Sequence, residues 1–324
     1  PPLPRIVSLS IGPMSKNVVD AILEYCSETG NKIGLIPSRR QVEYDGGYVN
    51  NWTTETFSKY ANKLLLKRDH SGPSQGYTED NGFRSLEYDC KHLDMIHIDP
   101  WKKYPNYEEG LKWTIDMIRF CHQENPNIEF EVGTEESIRY FTAIEINTLL
   151  TDLELNLTPK EYSQIKYIVI QSGTSLKGNS NTGEYDKDRL LAMIGVAKKH
   201  NLLSKEHNGD YISTSLIKEK FSLGLDAINI APEFGLIETQ TYLDNGIHLH
   251  DFYDICYDSK RWVKWIGEDF IPEIHKEELV KICGHYVLSD PKFLDIKLNI
   301  DKKIKANIKN KLSELFENIG ENCE

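Results

Sequence analysis

The 324-residue chain contains no stretch approaching the roughly 18–20 consecutive apolar residues of a transmembrane helix, so no membrane span is expected. It also lacks any C-x-x-C pair. Cys26, Cys90, Cys121, Cys256, Cys283 and Cys323 are irregularly spaced, which argues against a thiolate zinc site or a disulfide framework and leaves reduced, structural thiols as the expectation. Positive charge is scarce: 38 Lys and Arg stand against 50 Asp and Glu, a formal net charge of −12. Nucleic acid or an anionic membrane surface would require a basic face that such a chain does not offer. A phosphorylated ligand would therefore depend on a few locally placed cations. Pro1 to Arg5 run into Ile6-Val7-Ser8-Leu9-Ser10-Ile11 without the apolar core of a signal peptide, and the chain reads as cytoplasmic.

What is present is a rhythm. Short apolar runs at 6–11, 32–37, 64–69, 95–99, 128–132, 165–171, 202–206 and 227–231 read as eight strands. Between most of them lie amphipathic stretches that read as helices, at 15–30, 53–63, 83–93, 108–124, 137–150, 186–200 and 213–223. Strands alternating with helices at this spacing predict a (β/α)8 TIM barrel over residues 1–245, with a doubly wound open sheet as the competing pattern. Residues 246–324 break the rhythm. Trp262, Trp265, Ile266 and Phe270 suggest one apolar helix and Ile304, Ile308, Leu312 and Leu315 a terminal amphipathic one, so this part reads as a helical C-terminal extension packed on the barrel or on a partner.

In a parallel barrel the C-terminal ends of the strands and the loops after them converge on one mouth, so the residues there are the candidates for chemistry. The third strand ends in Asp69-His70-Ser71-Gly72-Pro73, the fourth in His97-Ile98-Asp99, the fifth in Glu131-Val132-Gly133-Thr134-Glu135 and the sixth in Gln171-Ser172-Gly173. The seventh ends in Lys205-Glu206-His207-Asn208-Gly209-Asp210 and the eighth in Asn229-Ile230-Ala231-Pro232. A single Asp at such a place is commonly a helix cap and a single His a hydrogen-bonded structural residue. Two histidines, His70 and His207, each just past an apolar strand and beside a carboxylate, are the usual means of holding a catalytic divalent metal with one position left open. Strand parity puts Glu129 and Glu131 on one face, and likewise His97 and Asp99. Asp69 and His70 are adjacent and reach one site only if the strand is already turning, as Gly72-Pro73 suggests.

Arg39, Arg40, Lys67, Arg68 and Lys205 fall at or near the ends of the second, third and seventh strands, and Arg68 and Lys205 are the expected contacts for an anionic substrate. Barrel enzymes usually hold phosphate at the loops after strands seven and eight, here Asn208-Gly209-Asp210 and Pro232-Glu233-Phe234-Gly235, and Asn229 at the end of the eighth strand is a further candidate contact. The expected substrate is thus a sugar phosphate, with the Gly46-Gly47-Tyr48 turn as a flexible flap beside it.

At these residues the chain resembles the GatZ/KbaZ subunits of class II tagatose-bisphosphate aldolase and the related ketose 6-phosphate 4-epimerases. The resemblance runs from about residue 6 to about 245. It is carried by Gln41-Val42 with Gly46-Gly47-Tyr48, Asp69-His70-x-Gly72-Pro73, Ile96-His97-Ile98-Asp99, Gly133-Thr134-Glu135, Gln171-Ser172-Gly173 and Glu206-x-x-x-Asp210-Tyr211 around His207. It implies a divalent metal, zinc first with manganese, cobalt or nickel as alternatives, held by His70 and His207. Class II aldolases have a further histidine on the sixth strand where this chain has Gln171, so Glu135 or Gln171 is the implied third ligand. Asp69 is the implied acid/base with Glu135 as a second catalytic carboxylate, and Gln41 joins the substrate contacts. Lys67-Arg68 and the segment around Lys177-Gly178-Asn179 depart from the pattern.

The chemistry that unites this family is cleavage of C3–C4 of a ketose phosphate. If the aldehyde leaves, the enzyme is an aldolase; if it turns over and is re-attacked, the enzyme is a 4-epimerase, the leading expectation. The alternative is a non-catalytic subunit that stabilises a class II aldolase catalytic subunit. Self-association into a homo-oligomer is a further expectation, and no nucleic-acid or membrane partner is expected.

Overall fold

The computed structural model describes residues 6–320, so Pro1 to Arg5 and Cys323 lie outside the described residues. Eight parallel strands close into a barrel: β1 (Leu9–Ile11), β2 (Gly34–Leu35), β3 (Leu65–Ser71), β4 (Met95–Ile98), β5 (Glu129–Val132), β6 (Ile165–Ile170), β7 (Leu203–Glu206) and β8 (Ala227–Ile230). Each strand pairs with its sequence neighbours, and β1 closes the ring on β8 through Leu9 opposite Ile228 and Ile11 opposite Ile230. The expected (β/α)8 TIM barrel is the fold, with helices between the strands and further helices at the C-terminal end.

Alternation along the strands sorts the interior from the jacket. Met95, Tyr167 and Ala227, with Leu203 against them, form an apolar layer. Two residues further along their strands lie His97, Lys205 and Asn229, all buried. The interior is therefore apolar at one level and polar at the next, towards the mouth. The neighbours of opposite parity, such as Ile96, Ile98, Ile168 and Ile170, pack outward with helix residues Leu86, Ile118 and Leu149.

Capping marks several boundaries. Ser15 accepts from the Val18 N–H at the start of helix Lys16–Thr29, and Gly30 ends it in the left-handed region at φ 76°. The helix expected at 137–150 begins instead at Ala143 and runs to Asn156, because Thr142 and Glu145 form a capping box that fixes its first turn. Within residues 1–245, two helices lacked a sequence expectation: Pro159–Ser163 and Pro232–Asp244.

The C-terminal residues pack on the barrel. Helix Asp301–Ile319 lies against helices Lys16–Thr29, Thr214–Ser222 and Pro232–Asp244. Ile304, Ile308, Leu312, Leu315 and Ile319 line its buried face, in the same core cluster as Val18, Ile22 and Phe234. Lys309 adds ion pairs to Glu24 and Glu28, each at 2.8 Å. The helix expected around Trp262 to Phe270 is a single 3-10 turn, Val263–Trp265, followed by irregular chain through Gly267 and Pro272. No helix among the described residues is long and apolar enough to cross a membrane, and Cys26, Cys90, Cys121, Cys256 and Cys283 are free thiols.

Candidate metal centre and active-site cleft

At the mouth, His70, His97, His207 and Asp69 each place a ligand-type atom within 4.8 Å of the others. The ring centroids of the three histidines are 5.0, 5.2 and 4.9 Å apart. Adjacent Asp69 and His70 share the site because the strand turns between them: His70 has φ 46°, and the pairing of β3 with β4 slips between Arg68 and Ser71. A left-handed non-glycine residue is strained, and the strain here aims a side chain into the mouth.

All three imidazoles are held from outside. His70 Nδ1 is 2.7 Å from Asp99 Oδ2, His207 Nε2 is 2.6 Å from Glu131 Oε1, and His97 Nε2 is 2.7 Å from the Gly133 carbonyl. Each outer nitrogen thus donates to an oxygen, which assigns the tautomer and leaves the opposite nitrogen with its lone pair. Those inner atoms face Asp69. His97 Nδ1 and His207 Nδ1 are each 3.9 Å from Asp69 Oδ1, and His70 Nε2 is 3.7 Å from Asp69 Oδ2. The His97 Nδ1 lone pair accepts the His70 backbone N–H at 3.1 Å, a bond that a metal on that nitrogen would displace. Outer acceptors that orient and enrich an imidazole are the usual surroundings of histidines that bind a metal.

The outer acceptors are themselves anchored. Asp99 is fully buried and accepts from Thr134 Oγ1 at 3.1 Å and the Trp101 N–H at 3.2 Å. Burial opposes its charge, but the bond to His70 and the nearby His97 outweigh it and hold its pKa below the ordinary value. Glu131 behaves in the same way. Burial is outweighed by Lys205, 2.7 Å away, and by His207 and His97, so the carboxyl sits well below its ordinary value. Gly133 has φ 87°, and a Cβ there would lie 3.1 Å from Ile168 and 3.2 Å from the Val169 carbonyl, which explains glycine behind His97.

A borderline divalent cation would find three imidazole nitrogens here, with an oxygen of Asp69 beside them. Asp69 Oδ1 is buried without a hydrogen-bond partner, as expected of an atom whose partner is an ion or a substrate. Negative charge is concentrated here. Although burial disfavours its protonation, Asp69, Asp99 and Glu135 raise the pKa of His70 to about 10, so a metal bound by His70 would take the place of a proton.

A cleft with about 770 Å³ of empty space opens over this group. Asp69, His70, Glu135 and His207 line its floor, and so do Gln41, Asn208, Asp210 and Asn229. Glu135 Oε1 stands 3.7 Å from His70 Nε2, opposite number to Asp69 around the same nitrogen. Both amide atoms of the buried Asn229 lack partners, which leaves them to substrate hydroxyls. Leu176 from the hairpin Leu176–Lys177 with Ser180–Asn181, and Lys264, Trp265, His285 and Tyr286 from the C-terminal residues, form the upper wall.

Five sequence expectations need correction. Gln171 is not free to be a ligand: its Oε1 accepts the Phe141 N–H and an Arg189 N–H, and its Nε2 donates to the carbonyls of Thr134 and Arg139. Arg68 faces away from the mouth, fully buried against Asp89 at 2.8 Å and donating to the Val42 carbonyl at 2.6 Å. Its parity is opposite to that of Lys67, whose ammonium lies 4.9 Å over the Tyr167 ring inside the barrel. Lys205 is also interior and spent on Glu131. Gly209 packs its backbone on β8, donating to the Asn229 carbonyl at 2.9 Å, and does not line the cleft. The Gly46-Gly47-Tyr48 turn is pinned rather than loose, by Gly47 N–H to the Trp52 carbonyl and Tyr48 N–H to the Arg40 carbonyl.

His97 is the residue that sequence reasoning left out of the ligand set. It sits within β4 rather than past its end, and the signal available was a lone polar side chain inside Met95-Ile96-His97-Ile98 sharing parity with Asp99.

Solved structures share this architecture. A protein described as a probable tagatose 6 phosphate kinase from Sinorhizobium meliloti superposes with a TM-score of 0.77 at 15% identity, covering 96% of this chain and 99% of that one. The YdjI aldolase from Escherichia coli gives 0.57 at 12% identity over 97% and 93%. A fructuronate-tagaturonate epimerase from Cohnella laeviribosi gives 0.61 at 9% over 97% and 79%. At these identities the likeness is one of fold. No model of a known protein family matches the chain, nor does any curated protein.

Proposed function

We propose that the chain is a metal-dependent enzyme that performs retro-aldol and aldol chemistry on a ketose phosphate, with inversion at C4 as its outcome. The observation that carries this reading is the set of three histidines, each donating its outer N–H away from the centre and turning the other nitrogen towards Asp69. That structural neighbours of this fold include an aldolase and a sugar epimerase supports the same reaction class, as does the resemblance to the GatZ/KbaZ group.

His70, His97 and His207 would hold the metal, zinc first as the resemblance to the GatZ/KbaZ group implies, with Asp69 at its edge. When bound, the metal supplies positive charge against the charge that develops on the substrate carbonyl oxygen as C3–C4 breaks. The chain's own residues do the rest. A carboxylate takes the C4 hydroxyl proton, C4 becomes an aldehyde carbonyl, and the electron pair of the broken bond passes into the enediolate of the three-carbon half. After the aldehyde rotates, that pair re-forms C3–C4 on its other face and a carboxylic acid returns the proton. Asp69 and Glu135, both 3.7 Å from His70 Nε2, can serve the two hydroxyl positions. Epimerisation needs the aldehyde to stay bound while it turns, in the cleft that Leu176, Lys264, Trp265, His285 and Tyr286 help to line. Asn229, Gln41 and Asn208 are placed to hold hydroxyls.

The test is to incubate the isolated, metal-loaded chain with ketohexose 6-phosphates and follow C4 by NMR. Inversion without a second polypeptide supports the reading. Release of free aldehyde would make it an aldolase. No turnover alone, with longer life or higher activity of an added class II aldolase, would make it the stabilising partner instead.

A further inference from the structure

Once the ion pairs are drawn, the free cations are not at the loops where barrel enzymes usually keep phosphate. The N-terminus of helix Pro232–Asp244 is met by the chain's own carboxylate: Asp210 Oδ1 accepts the Ala231 and Glu233 N–H groups at 2.9 and 2.8 Å. Those two N–H groups are therefore already occupied and are not offered to an incoming anion. On the other side of the mouth, Arg40 from the loop after β2, Lys102 from the loop after β4, and Arg261 and Lys264 from the C-terminal residues come together. Arg40 and Lys264 line the cleft itself.

None of these four cations has a carboxylate partner among the described residues. Arg40 Nε donates to the Gly76 carbonyl at 3.2 Å and Arg261 to the Tyr77 hydroxyl at 2.7 Å. Aromatic faces hold three of them instead: Arg40, Arg261 and Lys264. The Arg261 guanidinium lies 4.6 Å over Tyr77, 5.6 Å over Tyr48 and 5.5 Å over Tyr286. Lys264 Nζ is 4.8 Å over Trp265 and 5.6 Å over Tyr286, and Arg40 is 5.6 Å over Tyr77. Aromatic faces fix a cation without neutralising it, whereas a carboxylate would compete with an incoming anion. The crowding is felt: burial, then Arg40, Lys102 and Arg261, push Lys264 down to about 8.

We propose that this aromatic-braced cluster, with Arg40 and Lys264 at the cleft wall and Lys102 and Arg261 behind them, is the subsite for the substrate's phosphate monoester. The proposal rests on the ketose-phosphate reading of the cleft. A phosphate monoester carries about −1.5 to −2 charges and three acceptor oxygens at neutral pH, which matches several uncompensated cations better than one carboxylate does. The C-terminal residues then complete the active site as well as the helical jacket.

The test is calorimetric titration of the full metal-loaded chain with inorganic phosphate, fructose 6-phosphate, fructose and fructuronate. Lys264→Ala and Arg40→Ala should each weaken phosphate and fructose 6-phosphate about 10-fold or more, in line with loss of a charge-assisted contact. Fructose affinity and metal content should not move. Unchanged phosphate affinity in both variants, no phosphate binding by the wild type, or tighter binding of fructuronate than of fructose 6-phosphate would overturn the proposal. Because the readout is binding, failure to turn over any ketose would refute the reaction and leave the subsite standing. Turnover accompanied by unchanged phosphate affinity in the variants would refute the subsite alone.

Discussion

Glu131 holds His207 and Lys205 at once: its Oε1 lies 2.6 Å from the imidazole Nε2 and its Oε2 lies 2.7 Å from the ammonium, with all three side chains buried. One carboxylate therefore sets the tautomer of a candidate ligand and neutralises an interior cation. Glu131→Gln retains a single acceptor oxygen and strands the Lys205 charge. Removing one partner of a buried pair costs about 3–5 kcal/mol, and loss of an outer-shell carboxylate lowers metal affinity by about 10–100-fold. Thermal unfolding and metal titration of the variant should show both effects. Wild-type values for both would mean that Glu131 supports neither.

Asp69→Asn should keep shape and metal while turnover falls about 10²-fold or more, because an amide cannot take the hydroxyl proton. Metal loss with the fall would make Asp69 a ligand, and near-normal turnover would remove it as the acid/base. Glu135→Gln is expected to follow the same pattern. If it releases the metal instead, Glu135 is the ligand that the sequence resemblance implied.

Arg68→Ala should behave as a structural lesion. It leaves Asp89 charged and buried with no partner, at a cost of about 3–5 kcal/mol. Calorimetry should show a lower melting temperature and, in the folded fraction, an unaltered affinity for phosphate. A selective rise in KM for a phosphorylated substrate at unchanged stability would contradict the placement of Arg68 away from the mouth.

Asp210 gives a pH signature. Burial, with the Glu233 charge nearby, pushes its pKa up to about 8 against the two backbone N–H groups it accepts. The folded chain then binds the Asp210 proton more tightly than the unfolded chain, so its contribution to stability falls as pH rises from about 4 to about 8 and is flat outside that window. Asp210→Asn does not titrate. The melting temperature of the wild type minus that of the variant should therefore decline across the window, and parallel curves would contradict the assignment.

The barrel was legible because each strand is a short apolar run bounded by turns, and the sequence places all eight. Less was legible where packing departs from simple periodicity. Helix Pro232–Asp244 buries Phe234, Glu238, Thr239 and Tyr242 between the barrel and helix Asp301–Ile319, so it shows little amphipathic pattern. The start of helix Ala143–Asn156 was written in Thr142-x-x-Glu145, a capping box that hydrophobic counting passes over. In the site, Asp69 with His70 and His207 stood out because they follow strands. His97 did not, being inside one, and Arg68, out of phase with Lys67 on its strand, turns away from the mouth to Asp89 although its place beside Asp69 suggests a substrate contact. The cations of Arg261 and Lys264 could not be placed from the sequence, since the distance they span to the mouth is set by tertiary packing alone.

The three-histidine centre is tested most directly by the metal content of the folded chain and of His97→Ala, measured by plasma mass spectrometry beside circular dichroism. About one divalent ion per wild-type chain is expected, and its loss from a folded His97→Ala as from His70→Ala and His207→Ala, since two remaining imidazoles seldom retain a catalytic metal. Full occupancy in His97→Ala would contradict the three-histidine centre.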